Sequence, residues 1–196
     1  MRKLGMDELN RLSVNQFRQS EKTPIVVVLD NIRSMHNVGS VFRTADAFLV
    51  RGIYLCGFTP QPPHRDIHKT ALGATETVEW TYFATTAAAV MALREAGYTV
   101  FAVEQTEGSV PLQEVCLRWA ALGGESGPGA FEGGETGNDT APLAVVFGNE
   151  VEGVSAEALA VCDGAVEIPQ WGMKHSLNIS VAAGIVLWEL VREYKK

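Results

Sequence analysis

Several features that mark large classes of proteins are missing from this 196-residue sequence. No apolar run approaches the roughly 20 residues that a membrane-spanning helix needs. Charged residues near the N-terminus stand where a signal peptide would have its apolar stretch. Aromatic residues make up only 8% of the chain, and 46% of it is hydrophobic. We therefore expect a cytoplasmic protein with no membrane segment.

Cysteine is scarce, and its spacing excludes the common metal-binding patterns. The three residues, Cys56, Cys116 and Cys162, are far apart, and none belongs to a C-x-x-C pair. A structural zinc site needs four closely spaced ligands, usually from such pairs. The sequence therefore predicts no metal site, and we interpret the cysteines as small buried hydrophobes of a reducing compartment.

Positive charge is also in short supply, but it is unevenly distributed. The chain has 16 Lys and Arg against 23 Asp and Glu, a net charge of −7. Residues 1–69 reverse this balance, with ten basic and six acidic side chains. Phosphate contacts need only a local basic patch, so an acidic total does not exclude RNA. Arg33, Arg65 and Lys69 are the candidate RNA-binding residues of this part of the chain.

Strand and helix patterns alternate along the chain, which is typical of an α/β domain with a mainly parallel sheet and helices on both faces. The predicted strands cover residues 24–29, 52–57, 78–83, 99–103, 143–147 and 165–168. The predicted helices cover residues 37–49, 85–96, 155–161 and 179–194. The last helix is apolar almost all round, which favours a subunit interface over an ordinary core helix.

The domain organisation follows from two changes in composition. Residues 1–23 predict a short N-terminal extension, a single amphipathic helix anchored by Leu4, Leu9, Leu12 and Phe17. Residues 24–196 then form one domain. Within it, residues 123–142 contain seven glycines and four acids, too little apolar surface to offset the entropy of ordering. We interpret this stretch as a disordered acidic insertion.

Three polar motifs lie at the ends of predicted strands. They are Asn37-Val-Gly-Ser-Val-Phe-Arg43, Phe147-Gly-Asn-Glu-Val-Glu-Gly153 and the segment from Ile168 to Asn178. In an open parallel sheet, the loops after the strands line the ligand crevice. We therefore expect the three motifs to meet. The loop after the first strand has no G-x-G-x-x-G, which argues against a nicotinamide-dependent oxidoreductase.

The first motif predicts a helix start that carries a reactive group. Asn37 can cap the helix, and Gly39 permits the close approach of backbone or ligand. Helical side chains lean toward the N-terminus, so Arg43 should point back to the loop after the first strand.

The other two motifs supply acceptors and donors. Gly148 should leave room for a planar ligand, and Glu150 could bind a ribose or orient Arg43. Ser176 and Asn178 can both donate and accept hydrogen bonds. Asn178 lies between two apolar residues, where burial without a partner would be costly.

In this order, N-x-G-x-x-x-R, F-G-N-E-x-x-G and I-P-x-x-G-x-x-x-S-L-N-I-S resemble the SpoU/TrmH family of SPOUT methyltransferases. The resemblance covers residues 25–194, with the glycine-rich insertion as its main interruption. Residues 68–74 are similar to the family's loop before the third strand. Lys174-His175 departs from the pattern, because many relatives have an acidic residue here.

The resemblance implies a fold with a C-terminal deep trefoil knot, S-adenosyl-L-methionine as cofactor, and a homodimer formed through the C-terminal helix. The implied cofactor-binding residues are Val103, Gly148, Ile168, Ser176 and Leu177. The implied catalytic residues are Arg43, Asn37, Glu150, Ser176 and Asn178. The implied reaction is methyl transfer to a ribose 2′-hydroxyl of tRNA or rRNA, with tRNA favoured because no separate RNA-binding domain is present.

Two questions stay open at this point. Arg43 is either a general base made possible by its surroundings or a cation that stabilises developing alkoxide, since arginine normally keeps its proton. The alternative functions are a non-catalytic RNA-binding relative and a methyltransferase that acts on a base.

Overall fold

The computed structural model describes residues 1–115 and 142–195. All seven described strands pair in parallel in one sheet, in the order β3-β2-β1-β6-β4-β7-β5. Cys116 and residues 123–141 of the predicted insertion lie outside the described residues. The strands are β1 (Thr23–Asp30), β2 (Val50–Cys56), β3 (Trp80–Phe83), β4 (Thr99–Val103), β5 (Val110–Pro111), β6 (Leu143–Phe147) and β7 (Gly164–Glu167).

The helices cover both faces of this sheet, which confirms the predicted α/β architecture. They are α1 (Val14–Gln19), α2 (Met35–Ala47), α3 (Arg65–Ala71), α4 (Ala74–Thr77), α5 (Thr86–Glu95), α6 (Ala156–Leu159) and α7 (Ile179–Tyr194), preceded by a 3-10 turn at Met6–Leu9. No helix of residues 1–115 or 142–195 is long and apolar enough to cross a membrane.

Alternate residues of the central strand β1 enter two separate cores. Ile25, Val27 and Leu29 are fully buried in a cluster that also holds the inner faces of α2 and α7. Val26 and Val28 pack in a second cluster with α5 and α6. Because both faces are covered, β1 consists of a nearly continuous run of β-branched and leucine residues.

The N-terminal prediction of one amphipathic helix is wrong. Asn10 has a left-handed backbone conformation, with φ of 45°, and ends the 3-10 turn. Ser13 then caps α1 and forms a capping box with Gln16. Leu4, Leu9 and Leu12 are exposed, and only Phe17, 4% exposed, packs into the core.

The start of α2 differs from the prediction because a different residue caps it. Ser34, not Asn37, is the N-cap, and its Oγ accepts a hydrogen bond from the Asn37 amide at 3.3 Å. Gly39 does permit a close approach, but the neighbour is α3. A Cβ at Gly39 would overlap the Thr70 hydroxyl and the Ile67 carbonyl oxygen.

Residues 68–74, expected to form a loop before the third strand, are mostly helical. They include the end of α3 and the start of α4, separated by Leu72 and Gly73, whose φ values are 49° and 92°. The amide of Val78 donates to the Ala74 carbonyl at 3.0 Å and closes α4. β3 therefore begins at Trp80 rather than at Val78. The two-residue strand β5 was not predicted.

Candidate active site

The carboxyl ends of β4, β6 and β7 surround a cavity of about 720 Å³, closed on another side by the segment before α7. This volume lies in the range of small-molecule and cofactor sites. All five predicted cofactor-binding residues line it, namely Val103, Gly148, Ile168, Ser176 and Leu177. Three of the predicted catalytic residues also line it: Glu150, Asn178 and again Ser176. Residues from two of the three motifs therefore meet here.

The charge of the cavity wall has one sign. Four carboxylates line it, and among the described residues no lysine or arginine does; the four are Glu104, Glu150, Glu152 and Glu167. His175 is the one further titratable side chain on the wall. Apolar side chains such as Leu159, Ile168 and Ala182 supply much of the remaining surface. Such a wall suits a cationic ligand with an apolar part and repels phosphate groups.

The loop after β6 takes its shape from Asn149, which is 7% exposed. Its Oδ1 accepts hydrogen bonds from the amides of Val151 (2.9 Å) and Glu152 (3.2 Å). Its Nδ2 donates to the Asn31 carbonyl at 2.6 Å, which ties this loop to the one after β1. Backbone bonds to Gly153 complete the turn. Asn149 was not among the predicted site residues, although it lies within the second motif.

Gly148 does not leave room for a planar ligand in the way we expected. A Cβ here would overlap the backbone of Gly153 and Val154, so the space beside Gly148 is filled by its own loop. A glycine is required at position 148 because the loop folds back against the end of β6.

Two further acids hold the end of this loop. The Glu104 carboxylate accepts a hydrogen bond from the Val154 amide at 3.0 Å. Asp30, fully buried, accepts from the Ser155 amide at 2.7 Å and from the Thr86 hydroxyl at 2.5 Å. The loop is therefore fastened to β1, β4 and α5 before any ligand binds.

Glu150 accepts three hydrogen bonds from the first motif region: from the amides of Arg33 (3.2 Å) and Ser34 (3.3 Å) and from Asn37 Nδ2 (3.1 Å). Desolvation alone would raise the pKa of this carboxyl. The hydrogen bonds from these groups and from its own backbone outweigh desolvation and lower the pKa below its ordinary value. Glu150 therefore binds the loop after β1 and the start of α2. It does not bind Arg43, which was one of our expectations.

The Asn37 side chain also connects the third motif. Asn178 Nδ2 donates to Asn37 Oδ1 at 3.2 Å, and Asn178 Oδ1 caps α7 by accepting from the Ser180 amide at 2.9 Å. A chain of hydrogen bonds, Glu150–Asn37–Asn178, thus joins the three motifs. Asn178 is exposed, so our expectation that it needs a partner because of burial is wrong.

Arg43 lies on α2 outside the cavity wall. Its side chain is exposed and makes no hydrogen bond or ion pair with another described residue. The three predicted RNA-binding residues are exposed as well: Arg33 lies over the Phe58 ring, while Arg65 and Lys69 pair with Asp66 at 3.6 and 2.8 Å.

A parallel sheet with a cofactor-sized cavity at its carboxyl edge defines an α/β protein of the ligand-binding kind. Comparison with known proteins then places it more narrowly. The profile of the SpoU rRNA Methylase family matches residues 24–188. The chain belongs to this family.

Three relatives indicate how closely the chain resembles characterised proteins. It is 31% identical over 189 residues to a tRNA (guanosine(18)-2'-O)-methyltransferase of Thermus thermophilus, covering 96% of this chain and 85% of the relative. The A. aeolicus TrmH/SpoU tRNA modifying enzyme superposes with a TM-score of 0.74 at 24% identity, over 93% of this chain and 82% of the other, a likeness of fold.

The third is a structure of an AdoMet-bound rRNA methyltransferase from Sinorhizobium meliloti. It has a TM-score of 0.69 and 27% identity, and the match covers 90% of this chain. This chain spans only 59% of that protein.

Proposed function

We propose that this protein is an S-adenosyl-L-methionine-dependent RNA methyltransferase that methylates a ribose 2′-hydroxyl. The observation that carries the proposal is the acidic, partly apolar cavity at the carboxyl edge, where residues of the second and third motifs meet and the first is hydrogen-bonded to both. The Thermus thermophilus relative is named as a 2'-O-methyltransferase, and the Sinorhizobium meliloti relative is described as AdoMet-bound.

The cavity fits this cofactor in charge and in shape. S-adenosyl-L-methionine carries a sulfonium and an ammonium group, which the carboxylates of the wall would attract. The flat faces of its adenine ring can pack against apolar side chains such as Val103, Ile168 and Leu177. We propose that these residues, with the backbone near Gly148 and Ser176, hold the cofactor. NAD, with its negative pyrophosphate, would face the same carboxylates and be repelled.

The bound cofactor would supply a methyl group on a positively charged sulfur, which is open to attack by an oxygen nucleophile. A ribose hydroxyl is a poor nucleophile at neutral pH and needs polarisation. Arg43 makes no ion pair with any described residue, so its guanidinium is available to bind the RNA phosphate and to stabilise a developing alkoxide. The proton that the hydroxyl loses would pass to solvent water. Arginine keeps its proton in proteins, so we propose this cationic role rather than that of a base.

Glu150 serves a different purpose in this scheme. Its pKa is lowered by the hydrogen bonds it accepts, which makes the carboxylate a weaker base and a firm anchor for the loop after β1. Asn37 and Asn178 extend that anchor to α7. We therefore propose that these three residues position the reacting groups, and that Ser176 at the cavity wall contacts the cofactor or the ribose.

We also propose that the C-terminal part forms the deep trefoil knot implied by the family resemblance and that α7 mediates a homodimer. Val181, Ile185 and Trp188 are 50%, 39% and 57% exposed. Their spacing of four and three residues places them on one face of the helix. Trp171 and Met173, 92% and 82% exposed, add apolar surface in the preceding segment. Exposed apolar patches of this kind mark protein–protein contacts.

The proposed substrate is tRNA rather than rRNA, as the name of the Thermus thermophilus relative suggests. The proposed location is the cytoplasm, in keeping with the proposed RNA substrate. We further propose that residues 1–23 are an extension of a single catalytic domain at 24–196, since β1 begins at Thr23 and Phe17 packs against the same core.

The direct experiment is a transfer assay with tritiated methyl S-adenosyl-L-methionine and bulk tRNA or rRNA from a strain that lacks the enzyme. We expect label in tRNA. Alkaline hydrolysis should then leave the labelled nucleotide in a resistant dinucleotide, because a 2′-O-methyl group protects the adjacent phosphodiester bond. RNA binding without incorporation would indicate a non-catalytic relative, and label released in mononucleotides would indicate base methylation. Either result contradicts the proposal.

A further inference from the structure

Phe58 is an exposed aromatic side chain at the carboxyl edge of the sheet, two residues past the end of β2. It is 57% exposed, whereas its neighbour Thr59 is 2% exposed. The Thr59 hydroxyl accepts a hydrogen bond from the Ile32 amide at 3.0 Å and donates to the Leu29 carbonyl at 3.1 Å. These bonds fix Thr59 inward, and Phe58 is held at the surface.

A cation accompanies this ring. The guanidinium carbon of Arg33 lies 5.8 Å from the Phe58 ring centroid, within the range of cation–π contact. Arg33 is itself exposed. The pair therefore presents an aromatic face and a positive charge to the solvent side by side.

The Phe58–Arg33 pair is tied to the candidate active site by its backbone. The Phe58 amide donates to Asn31 Oδ1 at 3.2 Å, and the Asn31 carbonyl accepts from Asn149 at 2.6 Å. The Arg33 amide donates to the Glu150 carboxylate at 3.2 Å. Arg33 is therefore bonded directly to the loop that forms one wall of the cavity, and Phe58 is linked to it through Asn31.

Further exposed cations lie on the two neighbouring helices α2 and α3. His36, the second residue of α2, is exposed. The hydrogen bond from Lys69 lowers the pKa of the Asp66 carboxyl at the start of α3, and the charges of Lys69, Arg65 and His36 lower it further. The Arg65 side chain is 83% exposed on the same helix. Unpaired RNA bases stack on aromatic rings and guanidinium planes, and neighbouring cations bind the phosphates.

We propose that Phe58 and Arg33 form a stacking site for an unpaired base of the RNA substrate, next to the ribose that is methylated. This inference rests on the proposed function and adds to it the class of substrate. A base in a duplex has no free face to offer, so the site selects nucleotides of single-stranded loops. A second copy of this chain is the other conceivable occupant of an exposed aromatic, and the cation beside the ring favours RNA.

The test compares two variants that distinguish the aromatic face of Phe58 from the size of its side chain. Phe58→Leu keeps an apolar side chain but removes the aromatic face, and Phe58→Tyr keeps the face. We expect Phe58→Leu to raise the KM for bulk tRNA about tenfold, the order that loss of one stacked base gives. Its kcat and its affinity for S-adenosyl-L-methionine should stay within about twofold of wild type. Phe58→Tyr should resemble wild type.

Met91→Ala is the matched control, since Met91 is 53% exposed on α5, across the sheet from α2 and α3. It should change none of these values. An unchanged KM in Phe58→Leu would overturn the inference. So would a change in the mass of the protein in solution on Phe58→Leu, because the ring would then belong to a contact between subunits.

A binding measurement keeps this test separate from that of the proposed function. Fluorescence anisotropy with a short labelled single-stranded oligoribonucleotide needs no turnover. Wild type should bind it more tightly than the matching duplex, and Phe58→Leu should lose most of that preference. If wild type transfers no methyl group but shows the Phe58-dependent preference, the proposed function fails and the stacking site stands. Equal binding of single strand and duplex by wild type would overturn the stacking site.

Discussion

Two segments that border the same cavity are built in opposite ways. Residues 148–155 are fastened by the buried Asn149 and Asp30 and by the half-buried Glu104, which together accept hydrogen bonds from four backbone amides of the loop. Residues 171–178 are all exposed. In this second segment, Asn178 is the one residue whose side chain hydrogen-bonds to another described residue.

The chain's own hydrogen bonds hold residues 148–155 in place. We infer that residues 171–178 gain most of their contacts from a ligand or a second subunit. A segment with few hydrogen bonds and little burial opens at low free-energy cost. When a ligand orders such a segment, part of its binding free energy is used to do so. A segment that is already ordered does not impose this cost. We interpret residues 148–155 as the fixed wall of the site and residues 171–178 as the wall that closes on the cofactor.

The largest expected effect is the loss of methyl transfer when Arg43, which belongs to neither wall, is substituted. Arg43→Ala should lower methyl transfer at least about a hundredfold, the order seen when a charge-stabilising donor is removed. Cofactor affinity, measured by isothermal titration, should stay within about twofold because Arg43 does not line the cavity. Arg51→Ala, an exposed arginine near the start of β2, is the control and should retain activity. Turnover retained in Arg43→Ala would refute the assignment.

Removing an anchor of the fixed wall should affect the stability of the whole domain. Asp30→Ala leaves the Ser155 amide and the Thr86 hydroxyl without their buried acceptor. We expect the free energy of unfolding in urea to fall by about 3 kcal/mol. Asp66→Ala removes only surface ion pairs, which solvent screens, and should lower the free energy of unfolding far less. Equal losses in the two variants would contradict the anchoring role of Asp30 in the fixed wall.

A smaller and pH-dependent effect is expected at Glu150. Its folded-state pKa is lowered below the ordinary 4.5, so it contributes stability above that pH and loses the contribution as pH falls through the folded value. Glu150→Gln should therefore be less stable than wild type at neutral pH. The two unfolding midpoints should converge in acid below the ordinary pKa. A difference that stays constant across this range would show that the carboxylate charge is not involved.

Local patterns predicted most of the scaffold correctly. In the predicted helix over residues 37–49, the three- and four-residue spacing of six apolar residues indicates one core-facing stripe. Val38, Val41, Phe42 and Ala45 are fully buried, whereas Phe48 and Leu49, beyond the end of α2, are half-buried. The same kind of spacing failed at the N-terminus. Leu12 fits an amphipathic helix as well as the α2 residues do, but periodicity alone does not say whether another surface is there to cover the side chain.

The order of the motifs predicted that they would meet, but not through which contacts. Glu150 and Asn178 line one cavity, whereas Asn37 and Arg43 of the first motif do not. The hydrogen-bond partners of Glu150 and Asn178 lie more than a hundred residues away in sequence. The expectation that Gly148 leaves room for a ligand beside it was wrong for the same reason. The backbone that fills the space beside it belongs to a turn set by Asn149, and this turn depends on a bond to Asn31.

Hydrogen exchange with and without S-adenosyl-L-methionine tests most directly that the cavity is the cofactor site and that only one wall is preformed. We expect the cofactor to slow exchange strongly at the amides of residues 171–178 and at residues 103–106. Amides of residues 148–155 should already exchange slowly in the free protein and change little. Protection confined to a different part of the chain, or none at the carboxyl edge, would contradict this account.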